Sequence, residues 1–141
     1  MDLKKKIAGL QGKKVTLTIQ RHAVLEYLYK NRTHPTVEEI YTNLKAKYSV
    51  ISKATVYNTL DFLKKHDTIK EITIEKGKAR FDYKIEPHHH FFCRKCGYIC
   101  DLDVKGCALA GKKMMDGHKI EELRQYVIGI CSECLKRKKD S

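Results

Sequence analysis

The chain has 141 residues, six cysteines, seven histidines and a formal net charge of +12. That length holds one ordinary domain or two small ones, each with little core of its own. No stretch approaches the ~20 apolar residues of a membrane span, and no apolar run of signal-peptide length follows Met1-Asp2-Leu3-Lys4-Lys5-Lys6, which argues against a membrane or secreted protein. A cytoplasmic setting keeps thiols reduced, so the cysteines read as metal ligands rather than disulfides. The charge is unevenly spread: residues 1–87 carry 18 Lys+Arg against 10 Asp+Glu, and residues 88–141 carry 11 against 7. A cationic excess in the first half fits a polyanion partner.

In chain order, Val24, Leu25, Tyr27 and Leu28 recur at helical spacing between Gln20 and Lys30, and Thr33-His34-Pro35 ends that helix. Thr36-Val37-Glu38-Glu39 has the form of a capping box for a second helix, whose buried stripe is Ile40 and Leu44 and which runs to about Tyr48. Ser52 caps a third, from Lys53 to about His66, with Val56, Leu60 and Leu63 inward. Its other face offers Lys53, Thr55, Tyr57, Asn58, Asp61 and Lys64: cations for phosphates, amide and phenol for base edges. Beyond Asp67 the period becomes two. Ile72 and Ile74 alternate with polar residues, Glu75-Lys76-Gly77-Lys78 turns, and Phe81, Tyr83 and Ile85 alternate again. Helices followed by a hairpin with a basic tip describe a winged helix-turn-helix; a small α+β domain with an incidentally polar third helix is the plainer reading.

His88-His89-His90-Phe91-Phe92 reads as a strand with His88 and His90 on one face. Cys93-Arg94-Lys95-Cys96 and Cys131-Ser132-Glu133-Cys134 are two Cys-x-x-Cys pairs far apart in sequence, the spacing that a tetrahedral Zn²⁺ site needs. A dithiol redox pair is the rival reading; two pairs, and no helix expected after either, favour zinc. Cys100 and Cys107 lack a paired spacing and read as packed thiols. Tyr98 to Leu102 suggests a second strand, Val104 to Met115 a glycine-weakened helix, and Leu123 to Ile130 a returning strand. So small a βαβ-like unit exposes an edge and an apolar face, which homodimerisation would cover. Taken one at a time, His34, Asp82, His88, His90 and Asp101 read as solvated polar side chains.

The segments Leu17-Thr18-Ile19-Gln20-Arg21, His34 to Tyr41 and Ser52 to Leu60, followed in order by the histidine run and both cysteine pairs, resemble the ferric uptake regulator family from about Val15 to Cys134. The resemblance implies an α+β chain. Residues 1–84 form a winged-helix DNA-binding domain, 85–87 a hinge marked by Pro87, and 88–141 a small α/β dimerisation domain with structural zinc on Cys93, Cys96, Cys131 and Cys134. It implies a homodimeric repressor that reads palindromic double-stranded operator DNA through Lys53, Thr55, Tyr57, Asn58 and Lys64. It also makes His34, Asp82, His88, His90 and Asp101 a regulatory site; nitrogen and oxygen donors without sulfur suit Fe²⁺ or Mn²⁺, or Zn²⁺, better than Cu⁺.

Peroxide-sensing members resemble this chain in carrying aspartate where it has Asp82 and Asp101, whereas iron-uptake regulators tend to carry glutamate. By that resemblance peroxide is the signal, oxidised His34 or His88 is its record, and iron-uptake or zinc-uptake control are the alternatives. The further histidine site of many relatives is not expected, although His89, His118 and Glu122 offer an improvised one. His22 and His66 read as ordinary helix or turn residues. Among other classes, a metal hydrolase lacks a supporting motif such as His-Glu-x-x-His, and a metal-buffering or redox protein leaves the third helix unexplained.

Overall fold

A computed structural model describes residues 2–86, 88–104 and 106–139, and for Lys138 and Lys139 the backbone alone. The chain divides into two compact units, Met1–Ile85 and Glu86–Ser141. Pro87, expected in the hinge, lies outside the described residues.

The first unit has four helices, α1 (Leu3–Gly12), α2 (Ile19–Lys30), α3 (Val37–Lys47) and α4 (Lys53–Lys65), then the hairpin β1 (Lys70–Glu75) and β2 (Lys78–Asp82). Three helices start at side-chain caps: Thr18 Oγ1 accepts from Arg21 N–H at 3.2 Å, and Ser52 Oγ from Thr55 N–H at 3.0 Å. At Thr36 both halves of the capping box are made, Glu39 N–H to Thr36 Oγ1 at 3.2 Å and Thr36 N–H to Glu39 Oε2 at 3.4 Å. Val24, Leu25 and Leu28 of α2, Ile40 and Leu44 of α3, and Val56, Leu60 and Leu63 of α4 form one core with Phe81 and Tyr83. Each such side chain contributes about 1.5–3 kcal/mol by leaving water.

α1 is an element the expected sequence of helices lacks. It lays Leu3, Ile7 and Leu10 on that core, and Lys6 is buried beside them. Lys6 Nζ donates to the Thr68 carbonyl at 2.7 Å and to the Tyr83 carbonyl, and stands 3.5 Å above the Tyr83 ring. A buried ammonium is tolerated only with such partners. Replacing Lys6 with alanine is expected to cost about 2 kcal/mol, read as a lowered urea midpoint. An unmoved midpoint would show that α1 docks without it.

β1 and β2 pair antiparallel through a two-residue turn at Lys76-Gly77, where Gly77 takes φ 75°. Phe81 faces the helical core, while Arg80 and Asp82 occupy the other face of β2. An isolated bridge joins Thr36 to Arg80.

The second unit holds a three-stranded sheet in the order β4–β3–β7, from β3 (His89–Cys93), β4 (Ile99–Leu102) and β7 (Tyr126–Gly129). β4 runs antiparallel to β3 and β7 parallel to it. The helix expected over Val104 to Met115 is absent among the described residues. Gly106 and Gly111 adopt φ 86° and 76°, which no α-helix contains, and the segment ends in a small hairpin of β5 (Met114–Met115) and β6 (His118–Lys119). Asp116 and Gly117, both at positive φ, turn that hairpin. The returning strand is also shorter than expected, starting at Tyr126 rather than Leu123. A final helix, α5 (Ser132–Lys139), begins inside the second cysteine pair and carries Cys134, where no helix was expected.

Candidate metal centres and nucleic-acid interface

The cysteine pairs meet at the end of the β3–β7 sheet. After β3, Cys93 to Gly97 turns tightly: Gly97 N–H donates to the Cys93 carbonyl at 2.8 Å, and Gly97 takes φ 79°. After β7, Cys131 leads into α5, and Leu135 N–H donates to its carbonyl at 3.0 Å. These turns gather four sulfurs within 4.8 Å of one another, with Cys93 Sγ to Cys134 Sγ at 3.9 Å and Cys96 Sγ to Cys131 Sγ at 3.7 Å. Tetrahedral zinc with Zn–S of about 2.3 Å requires S···S of about 3.8 Å. The spacing therefore fits a Zn²⁺ ion held by all four.

The thiols sit in unlike surroundings. Burial raises the Cys93 thiol, but backbone N–H groups of Cys131, Cys96 and Lys95 outweigh it and bring it down to about 6. Cys134 is pushed up to about 12, first by the Cys131 side chain and then by burial. Cys134 is thus held in its protonated form by its neighbours while Cys93 is drawn toward the thiolate by backbone N–H groups, and a cation is what would let all four ionise together. α5 starts between Cys131 and Cys134, which removes the argument that neither pair meets a helix; gathering of both pairs at one point is the stronger reason against a lone redox dithiol. Cys100 and Cys107 are half-buried outside the cluster, and Cys107 Sγ accepts from Gln125 Nε2.

The sulfur-free donors form two sets, one in each unit. In the first, His34 and Asp82 are buried, with Nε2 to Oδ2 at 3.6 Å, and Lys84 N–H fixes the other carboxylate oxygen at 3.0 Å. This corrects their reading as solvated groups: Asp82 lies on the face of β2 away from the helical core, yet that face is covered by the chain around His34. In the second unit, His90 and Asp101 are cross-strand partners on β3 and β4. His90 Nε2 and His88 Nε2 stand 3.4 and 3.2 Å from the same Asp101 Oδ1, with the imidazoles 4.3 Å apart.

His88 precedes β3 but shares the face of His90, as alternation requires. Its Nδ1 lies 2.7 Å from the Glu86 carbonyl, which can only accept, so Nδ1 donates there and Nε2 is the nitrogen turned toward Asp101 and available to a metal. Such backbone partners leave no mark in a sequence. The donor chemistry of each set fits Fe²⁺ or Mn²⁺. Among the described residues, His89, His118 and Glu122 form no third group. His22 pairs with Glu26 at 3.6 Å and the His66 ring packs on Phe62.

On α4 the expected DNA-facing residues are mostly outward. Tyr57 is 61% exposed, Lys53, Asn58 and Lys64 are exposed, and Thr55 is half-buried with its hydroxyl 2.8 Å from Ser52 Oγ. Two carboxylates not singled out in the sequence lie against the lysines: Lys53 pairs with Glu38, and Lys64 with Glu71 at 2.6 Å. Exposed pairs of this kind are worth about 0–1 kcal/mol, so phosphates can displace them. The tyrosine and the two lysines carry no core duty, which distinguishes them from Val56, Leu60 and Leu63.

The family model described as "Ferric uptake regulator family" matches residues 12–127. The peroxide operon regulator of Bacillus subtilis (strain 168) is 36% identical over 140 residues, 96% of this chain and 95% of that protein. The peroxide-responsive repressor PerR of Staphylococcus aureus (strain USA300) is 35% identical over 136 residues, 94% and 91% of the two chains. Among solved structures, the Campylobacter jejuni peroxide stress regulator superposes with a TM-score of 0.69 at 31% identity, covering 95% of this chain and all of that one (100%). The Helicobacter pylori ferric uptake regulator superposes with a TM-score of 0.73 at 22% identity, covering 96% and 95%, and shows likeness of fold.

Proposed function

This chain belongs to the ferric uptake regulator family of metal-dependent transcriptional regulators, and on that premise we propose that it is a cytoplasmic, peroxide-responsive repressor without catalytic activity. Zn²⁺ on Cys93, Cys96, Cys131 and Cys134 is its structural ion. Fe²⁺ or Mn²⁺ is its regulatory ion, held by His34 and Asp82 from residues 1–84 and by His88, His90 and Asp101 from residues 88–141, with 85–87 as the hinge. The observation that carries this reading is the division of five sulfur-free donors into two preassembled sets, one per unit. Among the described residues no helix is long and apolar enough to cross a membrane.

An ion drawing on both sets ties the DNA-binding unit to the dimerisation unit and selects one arrangement of them. A homodimer reads a palindrome only when its two α4 helices match half-sites about 34 Å apart. The ion can therefore switch operator affinity without touching DNA, provided it prefers the competent arrangement by several kcal/mol. Exposed Val127 and Ile128 on β7, which pairs on one side only among the described residues, support a second copy at that edge. Bound Fe²⁺ would supply one-electron chemistry with peroxide, and His34 and His88 are the imidazoles we expect to take up the oxygen.

The test is an electrophoretic shift on a palindromic operator with Fe²⁺ or Mn²⁺, before and after micromolar peroxide. Peroxide should release the Fe²⁺ form and leave the Mn²⁺ form bound. A Fe²⁺ form that stays bound would move the protein to iron-uptake control. A metal-loaded protein that binds random DNA equally well would make it a metal buffer.

For the reading helix, Tyr57→Phe and Lys53→Ala are each expected to weaken operator binding about tenfold, a loss of about 1.4 kcal/mol, with metal content unchanged. Lys53→Ala should also lower the salt slope by about one. Full affinity in both variants would take α4 out of the interface.

A further inference from the structure

His34 has a left-handed backbone, φ 55°, although it is not a glycine. A side chain makes that conformation unfavourable, and it persists where the surroundings over-determine it. The surroundings here are β2. Phe81 N–H donates to the Pro35 carbonyl at 3.0 Å, and Arg80 Nη1 donates to the His34 carbonyl at 3.2 Å. The bridge from Thr36 to Arg80 continues the same seam.

Arg80 and Asp82 are two residues apart on one strand and share a face. The residue that grips the backbone of His34 is thus fixed to the strand that carries the partner of its imidazole. The Arg80 side chain is only 11% exposed, and its charge is balanced by Glu75 Oε1, 3.4 Å from both Nε and Nη2. A guanidinium forks between two acceptors in a way an ammonium cannot.

We infer that Arg80 is a positioning residue for the regulatory metal: it holds the His34 backbone in its left-handed turn, so that the imidazole stands beside Asp82 before any ion arrives. The inference rests on the proposed ligand role of His34 and Asp82. Preformed donors bind more tightly because ordering is not charged against binding. Glu75 offsets the positive charge that would otherwise oppose a cation, which lets an arginine serve this purpose near a metal.

The test uses the full-length, zinc-loaded protein and Mn²⁺ as a redox-quiet probe, titrated by calorimetry. Arg80→Ala and His34→Ala should each weaken Mn²⁺ at least tenfold, and the double variant should be no weaker than His34→Ala alone, because Arg80 acts through His34. If Arg80→Ala weakens binding as much in the His34→Ala background as in the parent, the effect is general and the assignment falls. Unchanged affinity in Arg80→Ala, with His34→Ala weakened, overturns the role of Arg80 and leaves the metal site standing. Unchanged affinity in His34→Ala removes the ligand role and this inference with it. Should Arg80→Ala not fold, Arg80→Lys carries the test in the metal-free protein. The His34 amide resonance should shift while those of α2 stay in place, and an unmoved His34 resonance overturns the inference.

Discussion

Replacing Cys96 with serine is expected to strip zinc from the protein and with it the dimer. Cys96 is the one exposed member of the four-sulfur cluster, so the change removes a ligand without opening a cavity. Its consequence is large because Cys93, Cys131 and Cys134, with Phe91 and Ile130 packed against them, form the buried cluster of the second unit, and Ile99 is the one other buried hydrophobic side chain among its described residues. Structural zinc contributes on the order of 10–16 kcal/mol in small domains, as much as a whole domain's net stability of about 5–15 kcal/mol. Elemental analysis should find zinc falling from about one ion per chain toward none, and light scattering should find monomers or aggregates. A zinc-free variant that remains a stable dimer would end the structural role given to the metal.

Exposure of the Fe²⁺-loaded protein to micromolar peroxide is expected to add one oxygen to His34 or His88 and to lower operator affinity by two orders of magnitude or more, about 3 kcal/mol. The two imidazoles differ in their supports. His34 is buried and set beside Asp82, and His88 is oriented by the Glu86 carbonyl, so each has its ring fixed before oxidation. Peptide mass spectrometry locates the oxygen, and the Mn²⁺ form serves as the unmodified control. Iron-dependent DNA binding with neither histidine altered would identify an iron sensor instead.

The first unit was largely legible because its signals are local. Capping by Thr36 and Ser52, the stripes of α2 to α4, and the Lys76-Gly77 turn each depend on residues a few positions apart. α1 was missed although Leu3, Ile7 and Leu10 keep helical spacing; what the sequence could not show is the burial of Lys6 beside them, which only distant carbonyls at Thr68 and Tyr83 explain. The second unit was harder. Val104 to Met115 has helix-forming residues at Ala108, Leu109 and Ala110, but the positive φ of Gly106 and Gly111 decides against a helix, and φ is not written in a sequence.

The cysteine spacing singled out four thiols that the fold does bring together. For the nitrogen and oxygen donors, alternation placed His88 with His90 correctly. It also set Asp82 on the face of β2 away from the helical core, as found; the plain expectation of a solvated carboxylate failed because a segment crosses that face. The crossing segment, 34–36, is joined to β2 by contacts some 45 residues apart in sequence, such as Arg80 to His34.

A folding unit whose interior is largely its own ligand set has little packing to fall back on while the ion is missing. Newly synthesised chains would then mature no faster than the ion is delivered, and material washed with strong chelator during purification would not regain its shape on dilution from denaturant until the ion was restored. On the proposed assignment of the two ions, the four-cysteine cluster at the end of the sheet would make the number of working molecules in a cell depend on one nutrient, and their activity on another.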